Sequence, residues 1–578
     1  MERFDVAVIG GGVLGCFAAR ELSRRKLDIV LLEAREDVCT GISRANTAVV
    51  YSGYDHKPGT LKAEMTVRAN ARFDALCREL DVPFSRCGSL MLSYSLRADA
   101  VLQKKLRQGK ANAVPGLRIL SADEAYRLEP TLAPGLFSAL FSPTAGTVNP
   151  WQLGIAACEN AVRNGVQLRL NTSVLAMRAD GDGYLLETSR GMLAAAAVVN
   201  CAGLAADRVQ ALLFPSSVRI APTAGDYLVL DKRCENKPTH ILEFEPENEE
   251  KGLTAVPTVE GSLLLGPTER ENALDYATTE SGLKRVRSLT EAMLPGLDLK
   301  DTIRSFAAVR PNPQRPDGSA IRDFCIEHPA ARFWSLIGIK TPGLSCAREL
   351  GAFVASQLSD ELHAEPDPLF DPTRRGIRRA HALSFAETSL LVEQEPDYGE
   401  LICFCEDVTR AEVLEAIRRG AVTIDGVKRR VGTGLGRCQG SRCAQKIAAL
   451  LNDTPGMAQS AVRRDAPCSG IVRDAYETAY SSDRRGRSCG DFGGPLRMGG
   501  RLQGHSAARP RRAARRYSAP MPARRLRPGA VRTGADRPGI HGAAHGEARL
   551  DRHTLFPLDR GSVRFRGQGR RSLAKGRP

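Results

Sequence analysis

The sequence predicts an α/β protein of several domains, for three reasons. The chain has 578 residues, whereas a single domain usually holds about 100–200. It opens with a strand, a glycine-rich turn, a helix and a second strand, which is the order of a parallel βαβ unit. Residues 221–330 alternate strands with a helix, Gly282–Met293, which is typical of a mixed sheet.

The opening motif predicts a site for an adenine dinucleotide. Strand, helix and second strand are predicted over Phe4–Ile9, Cys16–Arg25 and Asp28–Leu32. Gly10 permits a tight turn, Gly12 lets the backbone approach a pyrophosphate, and Gly15 lets the helix pack closely on the strand. Glu33 follows 18 residues after Gly15, which is close to the spacing of a carboxylate that binds ribose hydroxyls. An ordinary glycine-rich turn is the alternative.

A cysteine motif predicts an iron–sulfur centre. One residue separates Cys403 from Cys405, 32 residues separate Cys405 from Cys438, and four residues separate Cys438 from Cys443. Four thiolates can hold one [2Fe–2S] cluster, whereas zinc pairs usually have Cys-x2-Cys spacing. Zinc, or no metal, is the alternative. The motif is flanked by two predicted helices, with Thr409 and Glu412 at the spacing of a capping box: Arg410–Arg419 and Ala444–Leu451.

The positive charge of the chain belongs to its C-terminal end. The net charge is +16, yet residues 1–460 hold 55 Lys and Arg against 57 Asp and Glu, while 461–578 hold 27 against 9. No nucleic-acid binding is therefore expected for 1–460. The end of the chain is rich in Arg, Gly, Ala and Pro and poor in core-forming residues. We predict that 454–578 is a disordered extension or an out-of-frame translation of GC-rich DNA; a basic tether is a third alternative.

The sequence also indicates the cellular compartment of the protein. It contains no run of 18 apolar residues and no visible export signal, and its fifteen cysteines then indicate reduced thiols rather than disulfides. We expect a cytoplasmic protein, with peripheral contact at the inner face of the membrane as an alternative.

Two sets of segments carry a resemblance to known families. They are Thr40–Thr47, Val49–Tyr54, Lys57–Lys62, Ser142–Pro150, Val198–Gly203, Phe306–Pro311 and Gly338–Ser345 in the first part of the chain, and Val408–Thr409 and Gly436–Gly440 in the second. With these segments, residues 3–365 resemble the D-amino-acid-oxidase-like superfamily of FAD-dependent oxidoreductases, which includes glycerol-3-phosphate and L-2-hydroxyglutarate dehydrogenases. Residues 400–453 resemble the bacterioferritin-associated-ferredoxin-like [2Fe–2S] domain.

The resemblance implies a domain order. A Rossmann-like FAD-binding domain is interleaved with a mixed-sheet substrate domain within 1–365, and a small α-rich [2Fe–2S] domain and the tail follow. The implied bounds are about 3–90, 145–220 and 330–365 for the flavin parts, about 91–144 and 221–329 for the substrate domain, 366–399 for a linker, and 400–453 for the cluster domain.

The resemblance also implies site residues. Gly338 and Gly343 let backbone N–H groups approach the flavin pyrimidine edge, and a helix from about Cys346 directs its positive end there. The implied cluster ligands are Cys403, Cys405, Cys438 and Cys443. The implied FAD-binding residues are Gly10, Gly12, Gly15, Glu33, Ser43, Asn46, Gly203, Gly338, Gly343 and Leu344.

Two residues are candidates for the substrate site. Arg310 offers a planar fork that suits carboxylate or phosphate, with a structural ion pair as the alternative. Lys340 is expected to face the flavin or the substrate, with an exposed position in solvent as the alternative. Many relatives carry His-x-Gly where this chain has Tyr51-Ser52-Gly53. We therefore expect noncovalent FAD and no imidazole base there, and His56 nearby is expected to be structural.

The expected function is that of a dehydrogenase for a small anionic hydroxy substrate. sn-Glycerol 3-phosphate is the first choice, and L-2-hydroxyglutarate, which the Lys57–Lys62 stretch favours, or an amino acid is the alternative. Electrons would pass singly through the cluster to a second redox protein or a quinone. The competing hypothesis is an electron-transfer subunit with a vestigial substrate site, since Tyr51 replaces the imidazole.

Overall fold

The computed structural model describes residues 1–244, 252–271, 273–274, 276–453, 462–465 and 469. These residues form a mixed α/β structure, which confirms the predicted fold class. The predicted tail, 454–578, lies outside the described residues except for 462–465 and 469. All thirteen cysteines in the described ranges are free thiols. Among the described residues, no helix has the length and apolar character needed to cross a membrane.

Twelve α-helices occur in the described part of the chain, and most begin at a side-chain cap. In chain order they are α1 Val13–Leu22, α2 Leu61–Leu80, α3 Leu96–Ala111, α4 Ala122–Leu128, α5 Pro150–Arg163, α6 Ala206–Gln210, α7 Glu280–Met293, α8 Gly343–Glu361, α9 Phe385–Gln394, α10 Arg410–Arg418, α11 Ile424–Val431 and α12 Ala444–Asn452.

Twenty-two strands in the described ranges form four sheets. In chain order they are β1 Glu2–Ile9, β2 Ile29–Leu32, β3 Val49–Val50, β4 Phe84–Ser85, β5 Ser89–Ser93, β6 Arg118–Ser121, β7 Ser138–Ser142, β8 Gly146–Val148, β9 Gln167–Arg169, β10 Val174–Asp180, β11 Gly183–Thr188, β12 Gly191–Asn200, β13 Arg219–Leu230, β14 Ile241–Phe244, β15 Leu253–Pro257, β16 Leu263–Gly266, β17 Arg270–Glu271, β18 Thr302–Gln314, β19 Cys325–Ala330, β20 Phe333–Ile337, β21 Leu401–Cys403 and β22 Val408–Thr409.

The first sheet has a parallel core in the order β9-β2-β1-β12-β20, extended by antiparallel β10, β11 and β19. Its central strands β1, β2, β12 and β20 are largely buried, because α1, α5 and α8 share a core with one face and a second apolar cluster lies on the other. Ile9 pairs with both Leu32 and Asn200, and Asn200 pairs with Ser335. The carboxyl ends of β1, β2, β12 and β20 therefore meet at one edge, where open α/β sheets bind ligands.

The second sheet is mixed and has nine strands, in the order β17-β13-β16-β15-β14-β5-β7-β6, with β18 on β13. The antiparallel pair of β13 and β18 runs from Arg219 opposite Gln314 to Leu230 opposite Thr302. Helix α7 contacts this sheet and begins two residues before the predicted Gly282, because the Thr279 hydroxyl accepts a hydrogen bond from the Gly282 N–H group.

The third unit, which we call the cluster module, comprises β21, β22, α10, α11 and α12 around its own apolar core. Only half of the predicted capping box forms at α10. The Thr409 hydroxyl accepts from the Glu412 N–H group, but the Glu412 carboxylate accepts from the Ala380 N–H group at 2.9 Å and pairs with Arg379. This carboxylate fastens the preceding segment to the module.

Residues 366–399, predicted as a linker, are not a free linker. Residues 366–376, which we call the strap, run back along the flavin-binding part. Asn160 donates hydrogen bonds to the backbone carbonyls of Asp371 and Thr373, and Arg374 is buried against Glu159 at 2.7 Å. Helix α9 then follows within the segment. Buried polar partners of this kind are contributed by distant parts of the chain, so the proline-rich composition does not reveal them.

Candidate functional site

The turn after β1 packs Gly10 and Gly15 closely and leaves Gly12 open. Gly10 has a φ of +101°, and a Cβ atom there would lie 2.6 Å from the Cys201 carbonyl oxygen. A Cβ atom on Gly15 would lie 1.9 Å from the Gly10 carbonyl oxygen. At Gly12, the N-cap of α1, a Cβ atom would meet nothing nearer than Ser43 Oγ at 3.5 Å. Positions 10 and 15 thus require glycine, and the backbone at Gly12 is open to a phosphate.

Glu33 follows β2 and lies beside this turn. Its Oε2 accepts a hydrogen bond from the Gly11 N–H group at 2.7 Å, and its Oε1 accepts from the Arg35 N–H group at 2.9 Å. Burial raises the pKa of this carboxyl, and the two backbone donors oppose that shift. The carboxylate is therefore held at the sheet edge from which an acid can reach ribose hydroxyls.

Ser43 and Asn46 shape the segment that follows. Ser43 Oγ accepts a hydrogen bond from the Val13 N–H group at 3.0 Å, in the first turn of α1. Asn46 donates to the Ser43 carbonyl at 3.0 Å and accepts from the Ala48 N–H group at 2.8 Å. Both side chains have internal partners, so a direct contact between either of them and flavin stays a prediction.

Four more predicted residues follow β12 and β20 in the chain. Gly203 has a φ of +59° and follows β12. Gly338 has a φ of +64°, and a Cβ atom there would lie 2.6 Å from the Pro313 side chain. Helix α8 begins at Gly343, three residues before the predicted Cys346, and Leu344 packs on the core. The N-terminus of α8 thus follows the sheet edge directly, and the cradle fits a dinucleotide.

Arg310 and Lys340, the predicted substrate residues, lie together beside this edge. Arg310 on β18 is opposite Thr223 and lies 3.6 Å from a Glu269 carboxylate oxygen. Lys340 Nζ donates a hydrogen bond to Asn312 Oδ1 at 2.7 Å. Burial lowers the pKa of Lys340, with nearby Arg310 acting in the same direction. Lys340 is thus a partly buried ammonium rather than a solvated one.

Two further residues close to Arg310 and Lys340 were not predicted as site residues. Lys62 on α2 is buried, and burial and the Lys340 charge lower its pKa. The Tyr51 hydroxyl lies near Glu243, Tyr227 and Arg310, and burial, followed by the Glu243 charge, raises its pKa well above the usual range. In the sequence, Tyr51 was noted only because it replaces a histidine. Its hydroxyl, which can form hydrogen bonds, was the feature that could have identified it as a site residue.

The four predicted cluster cysteines come together in two pairs. Cys405 Sγ lies 3.5 Å from Cys438 Sγ, and the thiols of Cys403 and Cys443 share a hydrogen bond. Each pair takes one cysteine from each motif. Within the described ranges, no three or more His, Cys, Asp or Glu side chains are grouped to hold a single metal ion. Two pairs suit a [2Fe–2S] cluster, in which each iron takes two thiolates, better than one tetrahedral zinc.

The loops around these sulfurs supply backbone donors. N–H groups of Gly434 and Glu406 face the Cys403 sulfur and, with the Cys443 thiol, lower its pKa. N–H groups of Gly440 and Arg442 face the Cys438 sulfur. A φ of +74° at Gly434 and of +88° at Gly440 permits this wrapping. Hydrogen bonds to the sulfurs stabilise thiolates, which a cluster needs as ligands.

The cluster module docks on the flavin-binding part through a buried ion pair. Asp37 is 1% exposed. Arg430 donates to both of its carboxylate oxygens, at 2.8 and 2.9 Å, and Arg429 adds a third bond at 3.2 Å. Lys232 of the mixed-sheet domain also pairs with Glu406 at 3.2 Å. The module therefore contacts both other domains.

Comparison with known proteins agrees with this geometry. The model of the family described as "FAD dependent oxidoreductase" matches residues 5–357, and that of the "BFD-like [2Fe-2S] binding domain" matches 401–453. This chain belongs to the FAD-dependent oxidoreductase family. It binds FAD and carries a [2Fe–2S] domain.

Individual relatives of this FAD-dependent oxidoreductase include a glycerol 3-phosphate dehydrogenase. That protein, from Caloramator mitchellensis, is 37% identical over 477 residues, which cover 81% of this chain and 98% of the relative. The mitochondrial L-2-hydroxyglutarate dehydrogenase of Homo sapiens is 27% identical over 379 residues, covering 56% of this chain and 81% of the relative. Both substrate branches named by the sequence resemblance are thus represented among its relatives.

A solved structure shares the fold of this oxidoreductase. The L-alpha-glycerophosphate oxidase of Mycoplasma pneumoniae, solved with FAD bound, superposes with a TM-score of 0.60 at 24% identity, covering 65% of this chain and 99% of that chain. The superposition shows that this oxidoreductase has the fold of that FAD-bound protein over 65% of its chain.

Proposed function

We propose that the protein oxidises sn-glycerol 3-phosphate and passes the electrons through its [2Fe–2S] cluster to a second redox protein or a quinone. The observation that carries this proposal is the group of cations, Arg310, Lys340 and Lys62, beside the dinucleotide cradle. The similarity to the Caloramator glycerol 3-phosphate dehydrogenase supports it, because that alignment covers 81% of the chain and so extends beyond the flavin-binding part.

Arg310, Lys340 and Lys62 suit a phosphate dianion. A guanidinium binds two phosphate oxygens at once, and ammonium groups add point charges. Glu269 lies 3.6 Å from Arg310 and also acts on Lys340, and the Asp323 charge acts on Lys62. A phosphate would favour the charged forms of Lys340 and Lys62, whose pKa values burial lowers. A bound phosphate would therefore offset the repulsion of Lys340 by Arg310 and of Lys62 by Lys340.

FAD bound at the sheet edge would supply the two-electron oxidation of the substrate alcohol. The glycine turn, Glu33 and the α8 N-terminus would hold it there. Tyr51 keeps its proton at neutral pH, because burial raises the pKa of its hydroxyl. Tyr51 therefore donates a hydrogen bond to a substrate oxygen and does not act as the base.

The test is anaerobic reduction of the bound flavin by candidate substrates. sn-Glycerol 3-phosphate should bleach the oxidised flavin absorbance, whereas glycerol, which lacks the phosphate, should not at the same concentration. Bleaching by glycerol with equal affinity would contradict a role for the cations in binding.

L-2-Hydroxyglutarate is the second candidate, because a 27%-identical relative carries that name and a dicarboxylate could use the same cations. If it bleaches the flavin at lower concentration than sn-glycerol 3-phosphate, the substrate assignment changes. If no hydroxy or amino acid bleaches the flavin, the chain is an electron-transfer subunit, as Tyr51 in place of an imidazole would favour.

A further inference from the structure

The two faces of the mixed sheet have different surroundings. Leu228 of β13 and Leu242 of β14 share an apolar core with α7. Neighbouring residues of a strand point to opposite faces, so Tyr227 and Glu243 lie on the face away from α7. We call this face the substrate face, since the pairing of β13 with β18 places Arg310 on it as well.

A row of residues crosses five strands of the substrate face. Phe306 is opposite Tyr227, and their rings stack with the centroids 4.7 Å apart. A Cβ atom on Gly266 would lie 2.8 Å from the Tyr227 ring. Thr254 is opposite both Gly266 and Glu243. The stacked rings and Glu243 are therefore separated by two small residues, which form the floor of a groove.

Cations lie at one end of this groove. Arg310 lies on β18 four positions beyond the residue opposite Tyr227, hence on the same face, and it shares a hydrogen bond with the Tyr227 hydroxyl. Lys340 Nζ donates to Asn312 Oδ1 at 2.7 Å, and Asn312 follows Arg310 by two positions on that face. Glu269 lies 3.6 Å from Arg310 and offsets part of the positive charge of this end.

A carboxylate lies at the other end of the groove. The buried Tyr54 hydroxyl donates a hydrogen bond to Glu243 Oε2 at 3.1 Å. Tyr51 packs in the apolar cluster of Ile241, which precedes Glu243 by two positions and shares its face of β14. Burial, followed by the Glu243 charge, raises the pKa of both phenols, whereas Arg310 acts in the opposite direction on Tyr51. The Tyr51 hydroxyl therefore lies within range of both the carboxylate and the guanidinium.

We propose that Glu243 determines substrate specificity: the groove takes a molecule with one anionic group beside Arg310 and Lys340 and uncharged hydroxyl groups beside Glu243, and it excludes dicarboxylates. A carboxylate accepts hydrogen bonds from hydroxyl groups, whereas it repels a second carboxylate placed next to it. Such an unfavourable contact with the wrong ligand is a general source of specificity. Glu243 thereby narrows the proposed oxidation, on which this assignment rests, because sn-glycerol 3-phosphate has one anionic end and L-2-hydroxyglutarate has two.

The experiment compares two ligands that differ by a single charge. Glutarate has a carboxylate at each end, and in its monoamide, glutaramate, an amide replaces one of them. Isothermal titration calorimetry with the FAD- and cluster-loaded protein should show glutaramate binding at least about tenfold more tightly, because only glutarate brings a second carboxylate to Glu243. Equal or reversed affinities in the wild type, or no detectable binding of either ligand, would overturn the proposal.

This comparison does not depend on the oxidation itself. Neither ligand has a hydroxyl group that the flavin could oxidise, so the preference between them reports only on the charges in the groove. If sn-glycerol 3-phosphate fails to bleach the flavin while glutaramate still binds more tightly than glutarate, the proposed oxidation is rejected and the role of Glu243 stands.

One variant and one control assign the preference to Glu243. Glu243→Gln keeps the shape of the side chain and an oxygen that can accept from Tyr54, and the two ligands should then bind within about threefold of each other. Glu291→Gln, at an exposed carboxylate on α7 beside the other face of the sheet, should keep the wild-type preference. An undiminished preference in Glu243→Gln, or its loss in Glu291→Gln, would overturn the assignment. If Glu243→Gln does not fold, the wild-type comparison still decides.

Discussion

Asp37→Asn should loosen the cluster module from the flavin-binding part. The substitution keeps the shape of the side chain but removes the charge that faces Arg430 and Arg429. Both guanidiniums are buried, and Arg430 has no other carboxylate partner among the described residues. Arg429 keeps Asp465 at 2.7 Å, so the loss is partial for that residue.

The number of ion-pair partners that remain sets the expected loss of docking free energy. Removing one partner of a buried ion pair costs about 3–5 kcal/mol. Because Asp465 still balances Arg429, we expect the lower end, about 3 kcal/mol, or on the order of a hundredfold in the opening equilibrium. Burial alone would raise the pKa of Asp37, but Arg430 and Arg429 lower it. This stabilisation is therefore present above the ordinary carboxyl pKa of about 3.9 and is lost as pH falls through the lower folded value.

The assay combines hydrogen exchange with rapid kinetics. Amides of α11 should exchange on the order of a hundred times faster in Asp37→Asn, and substrate should reduce the cluster more slowly while reducing the flavin at the normal rate. Glu393→Gln, at an exposed carboxylate on α9, is the matched control and should change neither. Wild-type exchange of α11 in Asp37→Asn would refute the assigned role of the buried pair.

Four further predictions concern the cofactors and the substrate. Mild acid should release FAD from the protein, because Tyr51 offers no imidazole for attachment; flavin that stays with the denatured chain would show a covalent link. Glu33→Ala should weaken FAD binding by about 1–3 kcal/mol in a fluorescence titration, whereas unchanged affinity would remove Glu33 from the site. Arg310→Lys should raise the KM for sn-glycerol 3-phosphate about tenfold or more, since a point charge cannot reproduce a two-pronged contact, and wild-type kinetics would leave Arg310 structural. Cys438→Ser should abolish a centre of about two iron and two sulfide per chain while substrate still bleaches the flavin; zinc in the wild-type protein, or normal onward electron transfer in the variant, would contradict this.

Local signals made the first domain predictable. The turn at Gly10, the helix after it and Glu33 all lie within one short stretch, where each residue's role depends on near neighbours. Boundaries were less accurate: α1 spans Val13–Leu22 rather than Cys16–Arg25, because it begins directly after its N-cap, Gly12. Similarly, α8 includes Gly343, since the first turn of a helix tolerates glycine.

Long-range partners explain what the sequence did not reveal. Helix α11 carries Lys428-Arg429-Arg430, a run that favours a solvated surface, yet all three side chains are buried. The partner that buries two of them is Asp37, nearly 400 positions earlier in the chain. In the same way, the Glu412 carboxylate does not complete the predicted capping box, because it binds Arg379 and the Ala380 N–H group instead.

The strap sets the effective concentration of the cluster module at the surface of the flavin-binding part on which the module docks. On the flavin-binding part, the Gly376 N–H group donates to Asp81 at 2.8 Å. On the module, Arg419 donates to the Arg375 carbonyl at 2.8 Å, and Ile377 packs in the apolar core. The anchors on the two parts thus lie at neighbouring positions in the chain. A tether this short keeps a released module at roughly millimolar local concentration. Opening is therefore a brief local excursion, and a separately added module at micromolar concentration would not compete with the attached one.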